Sequence, residues 1–194
     1  SRLSRSESEA AELADSIGYP VVLKIVSPDI IHKSDVGGVV VGLKDRDEVK
    51  KAYRSILENV EKRASNARVV GILVQKMVPH GLEVIIGGVR DEEFGPVVMF
   101  GLGGIFVELM RDVTFRKSPI TEFEALEMIR EIRGYRAISG FRGQPPVNEE
   151  ALAKILTRLS NLLLEQSSIK EIDLNPVFAY PDGAIVADVR VLLE

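Results

Sequence analysis

The sequence predicts a mixed α+β or α/β protein with antiparallel or mixed sheets. Segments in which apolar residues recur at helical spacing alternate with short apolar runs that are typical of strands. Three of these runs, between residues 69 and 100, follow one another without a helix, which argues against a regular βαβ array. At 194 residues, 45% hydrophobic and 28% charged, the chain is long and apolar enough for one composite domain with its own core.

The first half of the chain begins with a predicted helix at Ser6–Ile17, in which Ser6 and Glu9 form a capping box and Gly18 ends the helix. A second helix is predicted at Asp45–Ala64, because its apolar residues share one face: Val49, Ala52, Tyr53, Ile56, Leu57 and Val60. Strands are predicted at Val21–Val26, Val39–Leu43 and Val69–Lys76, with a polar loop between the first two.

The second half continues, in chain order, with strands Leu82–Val89 and Pro96–Phe100, helices Thr121–Ile132 and Asn148–Glu165, and strands Ile169–Leu174 and Ala184–Leu192. Turns at residues 91–95 and 181–183 join neighbouring strands. Between the two helices lies the segment Gly134–Pro146, which is rich in glycine, arginine and proline. A loop of that length and composition is either functional or disordered.

Composition excludes several classes of protein. A net charge of −4 and a pI near 5.4 give no global basic surface, so we expect no nucleic-acid partner. This charge is compatible with a local basic pocket for a phosphate ligand. The absence of cysteine excludes disulfides, Cys-based zinc sites and thiol catalysis. No apolar run approaches the ~20 residues of a membrane-spanning helix, and no signal core follows Ser1. We therefore expect no membrane partner and a cytoplasmic location.

A lysine and a glycine-bearing loop form the first candidate site. Lys24 lies in an apolar strand, and it is either a surface lysine whose stem covers apolar neighbours or a point charge for phosphate oxygens. The loop that follows contains Lys33, Ser34, Gly37 and Gly38. Adjacent glycines let backbone N–H groups approach an anion, and Lys33 adds charge. The loop matches neither a Walker A motif nor a dinucleotide fingerprint.

The same loop contains His32, one of the two histidines of the chain. His32 is either a hydrogen-bonded loop residue or a nucleophile and proton carrier beside a bound phosphate. A neutral imidazole is a competent nucleophile toward a γ-phosphoryl group whose charge is stabilised by neighbouring cations and N–H groups.

Two further turns combine bent backbone with a carboxylate. After the strand predicted at Val69–Lys76, the turn at residues 79–81 leaves unpaired backbone groups that an adenine edge can use, and Glu83 can accept from ribose hydroxyls. The alternative is a plain hairpin with an exposed glutamate. The glycine-rich residues 101–104 mark a tight turn or a close approach to a ligand, and Glu108 follows as a candidate catalytic carboxylate.

Acidic and amide side chains converge near the C-terminus. Glu171, Asp173 and Asn175 share one face of their predicted strand because the side-chain period of a strand is two. Asp188 lies within an otherwise apolar final strand, where a carboxylate is rare. Oxygen ligands on neighbouring strands suit Mg²⁺, whose other ligands would be phosphate and water. The alternative is an edge strand with one solvated face.

Several stretches together carry a family resemblance that covers essentially the whole chain: residues 18–25, 32–39, 75–83, 94–104 and 173–176. With these motifs the chain resembles the ATP-grasp domain, and most specifically the nucleotide-binding β subunit of ADP-forming acyl-CoA (acetyl-CoA) synthetases, which are related to succinyl-CoA synthetases. The resemblance implies two lobes, residues 1–76 and 77–194, that clasp ATP or ADP. The family's domain begins some tens of residues before the position of Ser1, so we expect the N-terminal part of the fold to be absent here.

The resemblance also implies a role for each motif residue. Lys24 would bind the phosphates, and the loop at residues 32–38 would cover them. The adenine hinge would consist of Gln75, Lys76, Met77 and Val78, with Glu83 at the ribose. Asn175 and Asp188 would ligate Mg²⁺, while Asp173 would join them or steady an incoming phosphohistidine.

The family reaction is acyl-CoA + ADP + phosphate ⇌ acid + CoA + ATP, and it proceeds through phosphohistidine. The main phosphorylated histidine lies on an α subunit or domain that also holds CoA and phosphate, so the resemblance implies that partner and a hetero-oligomer. His32 matches a second histidine that relays phosphate near the nucleotide. Succinyl-CoA synthetases have no histidine in this loop, so His32 favours the acetyl-CoA type.

Two other functions are compatible with the same fold. One is a non-catalytic sensor module. Some protein acetyltransferases carry such acyl-CoA-synthetase-like domains, which have lost the relay histidine and serve regulation. The retention of Lys24, His32, Asp173, Asn175 and Asp188 argues against it. The other is an ATP-grasp carboxylate ligase that acts through an acyl phosphate and has no need of His32.

Overall fold

The computed structural model describes residues 1–104 and 112–194, so the predicted catalytic Glu108 lies outside the described residues. Two compact units make up the described chain: unit 1 is Ser1–Val78 and unit 2 is Pro79–Glu194. Each unit is built on one antiparallel sheet with its own apolar core. No helix in the described part of the chain is both long enough and apolar enough to span a bilayer.

Unit 1 has a four-stranded sheet in the order β1-β4-β2-β3. Its strands and helices, in chain order, are β1 (Arg2–Ser4), α1 (Glu7–Ile17), β2 (Val21–Val26), β3 (Val39–Leu43), α2 (Arg46–Arg63) and β4 (Gly71–Lys76). The core lies between the sheet and the two helices, which contribute Ala10 and Ala14 from α1 and Val49 and Ile56 from α2.

The helices of unit 1 begin at side-chain caps. The Ser6 hydroxyl accepts a hydrogen bond from the Glu9 N–H at 3.2 Å, as predicted. The Glu9 carboxylate, however, accepts from the N–H of Arg5 at 2.7 Å rather than from Ser6, so the reciprocal half of the predicted capping box is shifted by one residue. In α2 the predicted apolar face is buried except for Leu57, which is exposed at the edge of that face.

Unit 2 has a six-stranded sheet in which β10-β8-β5-β6-β7 lie side by side and β9 pairs with β8. Its strands and helices, in chain order, are β5 (Leu82–Asp91), β6 (Gly95–Leu102), β7 (Val113–Lys117), α3 (Glu122–Glu131), α4 (Tyr135–Ile138), α5 (Glu149–Glu165), β8 (Ile169–Tyr180), β9 (Gly183–Val186) and β10 (Val189–Leu193). The described strand pairs are all antiparallel, which agrees with the prediction.

One face of the unit 2 sheet packs against α3 and α5. Val84, Ile86 and Phe100 from the strands meet Met128 and Leu163 from the helices, and all five are fully buried. Alternation along β5 turns Ile85 and Gly87 to the opposite face. That second face also carries Asp173 of β8, because Asp173 pairs with Gly87 across the β5–β8 ladder.

Several predicted boundaries are wrong. β4 begins at Gly71 because Val69 and Val70 are exposed and precede the ladder with β2. β8 continues to Tyr180, well beyond the predicted end at Leu174, because its second half pairs with β9. The single strand predicted at Ala184–Leu192 is instead β9 and β10, with a break at residues 187–188.

Two strands and a helix were missed by the sequence reasoning. β1 has only three residues, and in β7 the apolar Val113 and Phe115 alternate with Thr114 and Arg116, so neither strand shows an apolar run. The glycine- and arginine-rich segment Gly134–Pro146 contains the short helix α4 followed by hydrogen-bonded turns.

Candidate functional site

Lys24 occupies the middle of β2, where it pairs with Val39 of β3 and Leu73 of β4. Only 9% of Lys24 is exposed, and its neighbours Leu23 and Ile25 are fully buried on the opposite face. A surface lysine whose ammonium reaches bulk water would be more exposed, so that alternative is wrong. Burial of an ammonium group is costly unless charge or hydrogen bonds compensate it, so Lys24 stays a candidate for a specific electrostatic role on this sheet.

The loop at residues 32–38 is closed by its own backbone. The Gly37 N–H donates to the Ser34 carbonyl at 2.9 Å, and the Gly38 N–H donates to the Lys33 carbonyl at 2.7 Å. Both glycine N–H groups are thereby used inside the loop. The expectation that these two glycine N–H groups approach an anion is therefore wrong for this conformation of the loop.

The two glycines serve packing instead. A Cβ on Gly38 would lie 2.9 Å from the Lys33 carbonyl oxygen and would run into the Ile25 side chain on β2. A Cβ on Gly37, at φ +67°, would lie 2.8 Å from the Asn59 amide nitrogen on α2. The Arg63 guanidinium also donates to the Asp35 carbonyl at 2.8 Å. These contacts fix the loop against β2 and α2, while the side chains of His32 and Ser34 are exposed and Lys33 is half-buried.

The predicted hinge residues lie at the end of β4, and two of them hold the turn between α1 and β2. The Lys76 ammonium donates to the carbonyls of Gly18 at 2.8 Å and Tyr19 at 2.7 Å. The Met77 N–H donates to the Pro20 carbonyl at 3.0 Å. Gln75 is half-buried and pairs with Val22 in the ladder. Contact of these residues with adenine stays a prediction.

Glu83 lines a cavity of about 660 Å³ in unit 2, which is the larger cavity referred to below. The Gly103 N–H donates to the Glu83 carbonyl at 2.7 Å, and a Cβ on Gly103 would lie 2.9 Å from the Glu83 backbone. The glycine turn at residues 101–104 is therefore a close approach to β5. It leaves the Glu83 carboxylate exposed beside Gly104, where a hydroxyl donor can reach it.

The predicted metal ligands come together within unit 2. Asp173 and Asn175 share one face of β8, and the Asn175 amide donates a hydrogen bond to the Asp173 carboxylate. Asp188 lies in the break between β9 and β10, where its carbonyl accepts from the Asn175 N–H at 3.2 Å. The prediction that Asp188 lies inside a strand is wrong. Its backbone hydrogen bond with Asn175 nevertheless brings Asp188 close to Asp173 and Asn175.

Burial is the largest cause that raises the pKa of Asp173 above its ordinary value. The charges of Glu171 and Asp188 raise it further, while Arg190 and the Asn175 hydrogen bond lower it. Glu171 is itself ion-paired with Arg190 on β10. The cluster thus holds more negative charge than its own cation compensates, which is the electrostatic condition for attracting a metal ion.

A cation at this cluster would need ligands from elsewhere. Within residues 1–104 and 112–194, no three Asp, Glu or His side chains lie close enough together to hold a metal ion. Two carboxylates and one amide fit Mg²⁺, which commonly keeps only one or two protein carboxylates and takes its other ligands from phosphate and water. The adjoining cavity of about 330 Å³ is lined by Asp173, Asn175 and Gly87, and it leaves room for such ligands.

Sequence reasoning missed residues that complete these cavities. Met99 of β6 and Phe115 of β7 form the apolar wall opposite Asp173. Phe115 is 53% exposed, and the alternation of Val113 and Phe115 with polar residues is the sequence signal for it. Asp112 is buried beside the larger cavity, where it accepts from the N–H groups of Arg133 at 2.8 Å and Gly134 at 2.7 Å.

Comparisons with known proteins agree with the family resemblance that the sequence motifs carry. The family described as the ATP-grasp domain matches residues 1–193. The chain is 53% identical over 192 residues to the acetate–CoA ligase [ADP-forming] I subunit beta of Pyrococcus furiosus, covering 99% of this chain and 83% of that protein. It is 50% identical over 191 residues to the acetate–CoA ligase [ADP-forming] I of Archaeoglobus fulgidus, covering 98% of this chain but only 28% of that longer protein.

Solved structures agree with the sequence relatives. The acetyl-coenzyme A synthetase 1 of Candidatus Korarchaeum cryptofilum, in complex with coenzyme A and Ca-AMPCP, superposes with a TM-score of 0.97 at 54% identity. The match covers 100% of this chain and 84% of that one. A second structure of that protein, with coenzyme A, Mg-AMPPCP and a phosphohistidine segment pointing towards the nucleotide-binding site, has a TM-score of 0.83 at 49% identity and covers 99% of this chain and 84% of that one.

Proposed function

The chain belongs to the ATP-grasp family, and from that membership we propose that it is the nucleotide-binding subunit or domain of an ADP-forming acyl-CoA synthetase. The observation that carries the proposal is the convergence of Asp173, Asn175 and Asp188 on one spot of unit 2. It occurs in a chain that is more than half identical to ligases named for this reaction. We assign units 1 and 2 to the two nucleotide-binding lobes of the family.

The proposed reaction is acyl-CoA + ADP + phosphate ⇌ acid + CoA + ATP, with acetyl-CoA as the acyl donor because the relatives carry that name. In the direction of ATP synthesis, a terminal oxygen of ADP attacks the phosphorus of a phosphohistidine. An O–P bond forms as the N–P bond breaks, and the imidazole leaves neutral after it takes up a proton. Positioning and charge stabilisation supply most of the catalysis of such transfers.

In this mechanism Lys24 neutralises phosphate charge from the unit 1 sheet, and Lys33 adds charge from the loop above it. Asp173, Asn175 and Asp188 would hold Mg²⁺, which neutralises charge on the phosphate oxygens when it is bound. Glu83 accepts from the ribose hydroxyls. The backbone at residues 75–78 receives the adenine.

His32 serves as the histidine that exchanges phosphate with the nucleotide. Its ring is exposed on a loop whose base is fixed against β2 and α2, so the imidazole is presented from a rigid support. The relative in which a phosphohistidine segment points towards the nucleotide-binding site supports phosphate transfer between a phosphohistidine and the nucleotide. Ser34, Gly37 and Gly38 shape the loop that carries this residue.

We propose a partner that holds CoA, phosphate and the main phosphohistidine. In the family this partner is either a separate α subunit or a domain of the same polypeptide, since relatives of both lengths occur. With a separate α subunit the assembly is a hetero-oligomer. We propose that the assembly is located in the cytoplasm, where ATP, ADP and CoA are available.

The test is transfer of labelled phosphate. The complete polypeptide with its co-purifying partner is incubated with Mg²⁺ and γ-labelled ATP, and the label is mapped by mass spectrometry. We expect acid-labile, base-stable label on His32 that chases onto the partner. His32→Ala should lower transfer by at least about 100-fold with nearly unchanged ATP affinity, because it removes the nucleophile and leaves the nucleotide contacts.

The matched control is Ile31→Ala, which changes an exposed neighbour in the same loop. It should transfer phosphate at the wild-type rate. Full turnover by His32→Ala would exclude the relay. ATP binding without label on any residue, with the partner present, would favour the sensor module instead.

A further inference from the structure

The side chain of Lys76 is bound to the backbone of a turn that is distant in the sequence. Its ammonium donates to the carbonyls of Gly18 and Tyr19, which lie 58 and 57 residues earlier in the chain. Residues 18–20 connect α1 to β2, and we call them the α1–β2 turn. The proposed function uses the backbone at residues 75–78 and gives the Lys76 side chain no role.

Helix α1 ends without a cation of its own. Its first turn contains Glu7 and Glu9, but its last turn contains no basic residue. The carbonyl groups at the C-terminal end of a helix lack N–H partners within the helix, and they form the negative end of its dipole. Lys76 supplies a positive charge to the two carbonyls that directly follow α1.

Other side chains hold the α1–β2 turn in place. The Tyr19 hydroxyl donates to the Asp15 carboxylate at 2.7 Å, and Arg46 of α2 is ion-paired with the same carboxylate. Burial and the interaction with Asp15 raise the pKa of Tyr19 to about 12, so the hydroxyl stays a donor at neutral pH. The turn is thereby tied to both helices of unit 1 and gives the Lys76 ammonium a fixed anchor.

A backbone hydrogen bond continues this connection beyond Lys76. The Met77 N–H donates to the Pro20 carbonyl at 3.0 Å. Backbone groups alternate between the two edges along a strand, so those of Lys76 and Val78 point to the opposite edge. On that edge the pairing of β1 with β4 ends opposite Val74. The backbone groups of Lys76 and Val78 therefore lie beyond this pairing, on the segment to which the proposed function assigns adenine.

This segment is also the end of a folded element. β4 ends at Lys76, its ladder with β2 ends at the pair of Lys76 with Val21, and unit 1 ends at Val78. The ends of elements fray more readily than their centres. The bonds from the Lys76 ammonium and the Met77 N–H to the α1–β2 turn therefore stabilise the backbone where the ladder stops.

We propose that Lys76 is a positioning residue for the nucleotide and that it acts through the α1–β2 turn. By fixing the end of β4 to that turn, its ammonium sets the path of the backbone that receives adenine. The side chain of Lys76 touches no part of the nucleotide in this role. The inference rests on the proposed function, because that function assigns adenine to residues 75–78.

This role predicts an effect that is confined to the base. Hydrogen bonds weaken steeply when donor and acceptor are misaligned, so a displaced backbone at residues 76–78 binds a base edge less well. The proposed phosphate and metal ligands, such as Lys24 and Asp173, are unaffected by the loss of the Lys76 ammonium. Affinity for an adenine nucleotide should therefore fall, while affinity for inorganic pyrophosphate, which has no base, should not.

The test is calorimetry and steady-state kinetics on the complete polypeptide with its co-purifying partner and Mg²⁺. Lys76→Met keeps an unbranched side chain and removes the ammonium. We expect the Kd and the KM of ADP to rise at least about tenfold, because two hydrogen bonds from a charged group are lost. The kcat and the Kd of pyrophosphate should change by less than about twofold, since neither depends on the base. Lys76→Arg, which keeps a cationic donor, should restore most of the affinity for ADP.

The matched control is Lys51→Met, which makes the same substitution at an exposed lysine of α2. It should bind ADP like the wild type.

Tyr19→Phe tests the α1–β2 turn independently, because it removes the hydrogen bond to Asp15. It should raise the Kd of ADP about threefold and leave that of pyrophosphate unchanged. In the double variant Tyr19→Phe, Lys76→Met, the Kd of ADP should equal that of Lys76→Met alone, since both substitutions act on the same turn. If Lys76→Met fails to fold, Tyr19→Phe decides the inference by the same two measurements.

Unchanged affinity for ADP in Lys76→Met and Tyr19→Phe, an equal loss of affinity for pyrophosphate, or additive effects in the double variant would overturn the inference and leave the proposed function intact. A wild-type protein that binds no ADP would overturn both.

Discussion

At the scale of single residues, Asp173 carries the electrostatics of the proposed metal site. β8 places it beside Asn175, and β10 brings Arg190 opposite it. Burial and the neighbouring carboxylates raise the pKa of Asp173, and Arg190 offsets them only in part. A bound cation would remove the imbalance, because a positive charge favours the ionised carboxylate.

The raised pKa of Asp173 predicts a pH dependence of Mg²⁺ binding. Mg²⁺ binds the ionised carboxylate, so its affinity should fall as the pH decreases through the raised pKa, at a pH above the ordinary titration of aspartate. Calorimetric titration with Mg²⁺ and ADP from pH 4 to pH 7 measures this. Asp173→Asn should bind Mg²⁺ more weakly at every pH and show a flatter profile, whereas an unchanged profile would contradict the assignment.

The raised pKa of Asp173 also determines how the stability of the metal-free protein changes with pH. A carboxyl whose pKa is raised by folding stabilises the folded state most when it is protonated. That contribution is therefore present at low pH and is lost as the pH rises through the raised pKa. Relative to Asp173→Asn, the metal-free wild type should lose stability over that interval, as measured by chemical unfolding.

Glycine 38 illustrates what a residue type alone leaves open. The glycine pair at residues 37–38 was predicted to bring N–H groups to an anion, but both groups bond within the loop. The same lack of a side chain is what lets the loop lie on Ile25. The sequence shows only that a glycine is present at position 38, and the packing shows why a side chain would not fit there.

At the scale of elements, β8 organises unit 2. It lies between β5 and β10, so its two faces serve different purposes. Ile172 and Leu174 are buried in the core, while Asp173 and Asn175 face the cavity. The period-two pattern of this strand was visible in the sequence, which is why the predicted ligands do meet.

Helix α5 packs against the core face of that sheet. Two adjacent leucines of this helix offer a matched pair of substitutions. Leu163 is fully buried and packs where Gly88 of β5 has no side chain, whereas its neighbour Leu164 is 46% exposed. We expect Leu163→Ala to lower the free energy of unfolding by ~2–5 kcal/mol, because it opens a cavity in the core. Leu164→Ala should change it by about 0.5 kcal/mol or less.

Chemical denaturation followed by circular dichroism measures both variants. Equal effects of the two substitutions would show that α5 is packed differently from the arrangement described above.

At the scale of the whole molecule, the residues proposed to carry the chemistry are divided between the two units. Lys24, His32 and the residues 75–78 belong to unit 1, while Glu83, Asp173, Asn175 and Asp188 belong to unit 2. Each unit has its own sheet and its own apolar core. A separate core is what a domain needs in order to fold on its own. The lobe boundary predicted at residues 76–77 stays a prediction, and the contacts divide the chain two residues later.

This division predicts what unit 2 can do when it is separated from unit 1. A polypeptide of residues 79–194 should fold, and it should bind Mn²⁺ as a probe for Mg²⁺, because all three proposed ligands lie within it. It should transfer no phosphate, since Lys24 and His32 are missing. Circular dichroism and electron paramagnetic resonance of Mn²⁺ measure the first two properties. Loss of Mn²⁺ binding by a folded unit 2 would contradict the ligand set.

The sequence by itself determined the family, most of the helices and strands, and the residues Asp173, Asn175 and Asp188 as a group. It could do so because periodicity and short motifs are local properties of a chain. Only the tertiary structure decided that Lys24 is buried, that the loop glycines are spacers and that Asp188 lies in a strand break. Those facts depend on which distant segments of the chain pack together.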